Sequence, residues 1–130
     1  MTGIIAVTSE SPGMEIMVDP RFGRAAGFVV VDLATMEISY VDNGGSQAMA
    51  QGAGIQAAEN VARAGAGVVL SGFVGPKAFQ ALAAGDIRVI QDVEGMTVGQ
   101  AVDKYKRGEL TIADAPNAPA GGHPGGGSKG

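Results

Sequence analysis

The chain has 130 residues and a formal charge of −4, a length that suits one domain rather than two. Its nine Lys and Arg residues are scattered, whereas nucleic acid needs clustered cations to neutralise its phosphates. The lack of Cys excludes disulfides, thiolate-held zinc or iron–sulfur clusters, and a Cys nucleophile, while 45% apolar residues are enough for a core.

Residues 4–8 (IIAVT) form a short apolar run, and the Ser-Pro-Gly cluster that follows breaks it, which predicts a strand. Residues 28–33 (FVVVDL) are rich in β-branched side chains and predict a second strand. Beyond a short turn, Met36, Ile38 and Tyr40 alternate with Glu37 and Ser39, the pattern of a half-buried strand closing a hairpin. A first helix is predicted over 53–64, with Ile55, Ala58 and Ala62 on its inner face and Gln56, Glu59 and Arg63 opposite. Strands at 68–71 and 87–90 flank a second helix. That helix starts at Pro76, buries Phe79, Leu82 and Ala83, and stops at Gly85. Thr97 followed by Gln100 predicts a capping box, opening a third helix with Val98, Ala101, Val102 and Tyr105 as its buried stripe. The order β-β-β-α-β-α-β-α predicts a mixed five-stranded sheet with flanking helices, its second half parallel. Residues 114–130 hold six Gly, three Pro and no large apolar side chain. The folded unit is therefore expected over 1–113, with a disordered tail. The first residues lack the basic start of a signal peptide, and no apolar run approaches a membrane span. A cytoplasmic location without membrane contact is expected.

Two segments have the composition of a binding site. In residues 14–26 (MEIMVDPRFGRAA), Arg21 and Arg24 bracket Phe22-Gly23, a spacing at which two guanidiniums can grip one anion. The same residues also read as an Asp19-Pro20 turn with Phe22 in the core and the arginines in solvent. In residues 72–78 (GFVGPKA), a strand enters a Gly-rich loop and then a Pro-initiated helix. Free backbone amides, the positive helix end and Lys77 would suit an anion there, although a plain strand-to-helix turn has the same pattern. The GxGxxA match at Gly52 stands far from the preceding strand and lacks a downstream acid for a ribose, so it reads as a close approach of the first helix. Met14 and Met17 are soft groups suited to Cu(I), or packing residues. His123 stands alone in the tail. The loop 9–22 is long and carries Met14, Ile16, Met17 and Val18, the content of a mobile lid. No GxSxG, HExxH or Walker motif is present and no carboxylates can be argued to converge, so an enzyme is not expected.

Asp19-Pro20-Arg21-Phe22-Gly23-Arg24-Ala25, Asp42-Asn43, Gly52-Ala53-Gly54 and the 72–78 segment occur in that order across residues 3–107. This ordered set resembles the dinitrogenase iron–molybdenum cofactor-binding domain family. The resemblance implies a ribonuclease H-like three-layer α/β fold and a non-enzymatic role in binding or carrying an anionic metal–sulfur cluster, with molybdenum and with copper or iron beside it. Contacts to the cluster would come from Arg21, Arg24 and Lys77, from backbone amides around Gly23, Gly72 and Gly75, and from apolar walls such as Met17 and Phe22. Many members carry His where this chain has Arg21, so a His-to-metal contact does not transfer. The resemblance also suggests an alternative, a regulatory interaction domain working with MinD/Mrp-type ATPases. A phosphate- or nucleotide-binding module is a third, less favoured reading.

Overall fold

The computed structural model describes residues 3–117. Strands β1 (Ile4–Ser9) and β2 (Gly27–Asp32) pair antiparallel, from Ile4 opposite Asp32 to Ser9 opposite Gly27. Strand β3 (Glu37–Asp42) closes the hairpin onto β2 through a turn in which Met36 takes a left-handed φ of 60°. Strands β4 (Val68–Leu70) and β5 (Arg88–Ile90) add in parallel on the other side of β1, giving the order β3-β2-β1-β4-β5. The central strands are covered on both faces and read as nearly continuous apolar runs. The edge strand β3 keeps Glu37, Ile38 and Ser39 exposed.

Helices α2 (Ala53–Arg63) and α3 (Pro76–Ala84) cover one face of the sheet, and α4 (Val98–Lys106) covers the other. Alternation along the strands divides the core accordingly. Ala6, Phe28, Val30, Val69 and Val89 face α2 and α3, while Ile5, Val7, Val29, Val31 and Leu70 face α4. This is the three-layer α/β arrangement expected from the sequence. The capping box is present: Thr97 Oγ1 accepts from Gln100 N at 3.1 Å, and Gln100 Oε1 accepts from Thr97 N at 2.8 Å. A four-residue helix, α1 (Gly44–Gln47), was not anticipated, since GGSQ has no helical pattern of its own.

Two helix faces differ from expectation. The buried side of α2 is Ala53, Ala57, Ala58 and Val61, which leaves Ile55 and Ala62 exposed. Small alanines let α2 pack close to the sheet and to α3, and that packing outweighs burial of the larger Ile55. On α3, Ala78 and Leu82 are buried and Ala83 is exposed.

The 9–22 loop is not a free flap. Gly99 N donates to Met14 O at 2.7 Å, Val98 N to Ile16 O at 2.8 Å, and Val18 N to Met96 O at 2.9 Å. Its apolar content therefore seals the α4 layer, with Val18 buried among Val98 and its neighbours. After α4 the chain returns across this layer, where Leu110 and Ile112 pack, and Ala113 N donates to Val89 O at 2.8 Å. Residues beyond 117, including His123, lie outside the described residues. Among the described residues no helix is long and apolar enough to cross a membrane.

Candidate functional site

A cleft of about 690 Å³ opens at the carboxyl ends of β1 and β4, on the side of α2 and α3. Crevices at strand carboxyl ends are the usual ligand sites of open α/β sheets. Two loops build its floor. Phe22 N donates to Phe73 O at 3.0 Å and Phe73 N to Pro20 O at 2.7 Å, so residues 20–22 and 73 pair like short strands. Gly72 makes this approach possible, because a Cβ there would lie 2.6 Å from the Pro20 carbonyl oxygen. Phe22 is 1% exposed and stacks at a tilt on Phe28 with ring centroids 5.5 Å apart, which anchors the first loop in the core.

The first turns of α2 and α3 meet in this cleft through small residues. A Cβ on Gly23 would lie 3.0 Å from Gly54 Cα, and a Cβ on Gly54 would lie 2.9 Å from the Ala78 Cβ. Neither helix has a side-chain cap, since its N-cap is Gly52 or Gly75. The amides of Gly54 and Ile55, and those of Lys77 and Ala78, therefore have no intrahelical acceptor and, among the described residues, no capping side chain. The contrast is with α4, whose capping box lies on the other face of the sheet. Two unsatisfied, positively polarised helix ends opening on one cleft suit an anion.

The cleft wall carries Arg21, Arg24 and Lys77 and, among the described residues, no acidic residue. The Arg21 side chain is 54% exposed, with Nε 3.6 Å from Oδ1 of the fully buried Asp19 carboxylate. The same oxygen accepts from Arg21 N at 2.9 Å, so Asp19 forms the turn that aims Arg21. Asp19 Oδ2 is buried without a hydrogen-bond partner among the described residues. Arg24 is partly committed elsewhere. Its Nη1 donates to Met49 O at 2.7 Å and Gln47 O at 3.2 Å, pinning the segment between α1 and α2. A second cavity, of about 600 Å³, lies at the opposite ends of β4 and β5 and is lined by Asp86, Arg88 and Tyr105. Among the described residues it has an acid in its wall and no helix N-terminus.

Of the residues anticipated from sequence, Arg21, Phe22, Gly23, Arg24, Gly75 and Lys77 line the cleft. Gly72 does not line it but joins its two loops. Met17 is absent from the lining. It bridges to Thr97 on the α4 side, 51% exposed, because the loop backbone is tied there. The sequence reading gave no role to Asn43, Ser46 and Asn60. Asn43 is 1% exposed, its Nδ2 donates to Ala25 O at 2.9 Å and its Oδ1 accepts from Asn60 Nδ2 at 2.6 Å. Ser46 Oγ lies 2.9 Å from Gly23 O and 2.5 Å from Ala53 O. These groups fasten the Gly23–Ala25 turn to α1 and α2. The only sequence signal was the Asp42-Asn43 pair within the ordered motif set.

Fold and cleft together define a three-layer α/β domain with an anion-suited crevice. The model of the dinitrogenase iron-molybdenum cofactor family matches residues 1–108, and the chain belongs to that family. The apo form of the orange protein from Desulfovibrio gigas is 59% identical, with a TM-score of 0.89 over 91% of this chain and 98% of that one. A NifB-like protein from Thermotoga is 29% identical, with a TM-score of 0.74 over 86% of this chain and 93% of that one. A third solved structure, 22% identical with a TM-score of 0.69 over 85% of this chain and 96% of that one, shares the fold. No curated protein sequence matches the chain.

Proposed function

We propose that the chain binds and carries an anionic, molybdenum-containing metal–sulfur cluster without covalent attachment and without catalysing a reaction. The observation that carries this reading is the pair of uncapped helix N-termini sharing one cleft with Arg21, Arg24 and Lys77 and, among the described residues, no acid. A thiometallate cluster spreads its negative charge over several sulfides, which accept hydrogen bonds from amides and guanidiniums. Its polarisable surface also tolerates apolar walls such as Phe22, Phe73 and Pro76. The chain has no Cys, and the described residues include no group of three or more His, Asp or Glu placed to hold a metal ion. Contact through the cluster's sulfides fits this donor set better than direct metal ligation. The family's description and the similarity to the orange protein support the same cargo. Among the described residues no feature favours MinD/Mrp-type ATPases as partners over cargo binding.

Protein isolated from its own organism should contain molybdenum and absorb visible light, and elemental ratios would decide between copper and iron as the second metal. Apo protein mixed with tetrathiomolybdate and copper should form a saturable coloured complex. A colourless protein that gives no saturable complex would rule the reading out.

A further inference from the structure

We infer that residues 113–117 are a working part of the binding site and that Asn117 is a positioning residue for the 72–75 loop; this rests on reading the cleft as the cargo site. The Asn117 side chain bonds in three directions. Its Nδ2 donates to Gly72 O and to Asp92 Oδ1, each at 2.8 Å, and its Oδ1 accepts from Val74 N at 3.3 Å. Asn117 is itself held in place. Its backbone N donates to Gln91 Oε1 at 3.0 Å, Gln91 Nε2 donates to Ala115 O at 2.9 Å, and Ala113 N donates to Val89 O at 2.8 Å. Asp92, with a left-handed φ of 65°, also donates its backbone N to Gly72 O at 3.0 Å.

Phe73 N and O are engaged by residues 20–22, while Gly72 O and Val74 N are engaged by Asn117. The loop is thus gripped from both sides up to Val74, and the next residues are Gly75 and the uncapped first turn of α3, which line the cleft. Asparagine suits the task because one planar amide supplies both the donors for Gly72 O and Asp92 and the acceptor for Val74 N. The family model ends at residue 108, so this strap lies outside it. Without the Asn117 side chain, ligand binding must itself order the loop, and affinity falls by that ordering cost.

The test uses the full chain with the variants Asn117→Ala, Asn117→Asp and the swapped pair Asp92→Asn with Asn117→Asp. Tetrathiomolybdate with copper is the probe, followed by visible absorbance. Amide spectra of the free proteins report on the loop, and urea midpoints report on stability. N117A should weaken probe binding roughly three- to tenfold and shift the amides of Val74 and Gly75. N117D should weaken it as well, because two donors are lost and a second carboxylate faces Asp92. The swapped pair restores an amide–carboxylate bond and should recover part of the affinity, which a loss of global stability alone would not explain. Wild-type affinity in N117A with unmoved Val74 and Gly75 amides would overturn the inference. A wild-type chain that ignores the probe would instead refute the cargo reading, and the loop amides alone would then decide the role of Asn117.

Discussion

Replacing Gly54 by Ala would place a methyl carbon 2.9 Å from the Ala78 Cβ. That is about 0.9 Å inside an ordinary carbon–carbon contact of about 3.8 Å. Ala78 is 3% exposed and cannot swing away, so the first turns of α2 and α3 must separate. Overpacking of this kind costs about 1–3 kcal/mol, offset by a helix-propensity gain of at most about 1 kcal/mol. With the full offset the balance is a loss of up to about 2 kcal/mol, equivalent to a fall in Tm of up to about 8 °C for a domain of this size. Thermal unfolding followed by circular dichroism measures that term, and titration with tetrathiomolybdate and copper measures the displacement of the helix ends. Both Tm and probe affinity should fall, and Ala78→Gly in the same chain should recover affinity by removing the clash. A G54A protein with raised Tm and undiminished affinity would show that this small-residue contact does not hold the two helix ends together.

Replacing both Arg21 and Lys77 by Ala should weaken the probe at least tenfold, given about 1.5–3 kcal/mol per charged hydrogen bond, and salt should weaken the wild-type complex because these groups are exposed. Arg24→Ala should shift the amides of residues 47–49, since the guanidinium is tied to the Gln47 and Met49 carbonyls; unmoved amides would contradict that tie. Asn43→Ala strands the Ala25 carbonyl and the Asn60 amide and should cost about 1–3 kcal/mol in urea unfolding. Burial, then Asp42, Asp19 and Glu10, raise the pKa of Tyr40 above its usual value. The folded state therefore holds this proton more tightly than the unfolded chain. The stability it contributes is complete below the ordinary tyrosine range and is lost as pH rises through the raised value. Ultraviolet titration of a Tyr105→Phe protein should show late phenolate formation at Tyr40, and formation at the ordinary tyrosine pH would contradict it.

Most of the fold was legible because its elements are marked locally. The β-branched run Val29–Val31, the Pro76 start and the Thr97–Gln100 box are short-range signals, and each appears where the sequence placed it. The α2 face was misjudged because apolarity alone ranks Ile55 above Ala57, whereas close packing at Gly54–Ala78 favours the smaller side. For the 19–24 segment, the turn and core reading of Asp19 and Phe22 is what the structure displays. Asp19 does form a turn and Phe22 does sit in the core, and those two anchors are what place Arg21 and Gly23 on the cleft wall. Met17 was misplaced because its apolar neighbours read equally well as a lid or as a seal. Only the long-range bonds to Met96, Val98 and Gly99 decide for the seal. The contribution of Asn117 depends on a contact 45 residues distant in sequence, which no local pattern announces.

Amide chemical-shift mapping of the apo chain, titrated with tetrathiomolybdate and copper, tests the cleft most directly. Binding there should move the amides of Arg21, Gly23, Gly54, Ile55, Lys77 and Ala78 most, leaving the central strand residues Val29–Val31 and the capped end of α4 little changed. If instead the largest shifts fell on Val98–Tyr105, or on the second cavity at Arg88 and Tyr105, the ligand would sit elsewhere and the uncapped helix ends would not be its binding groups.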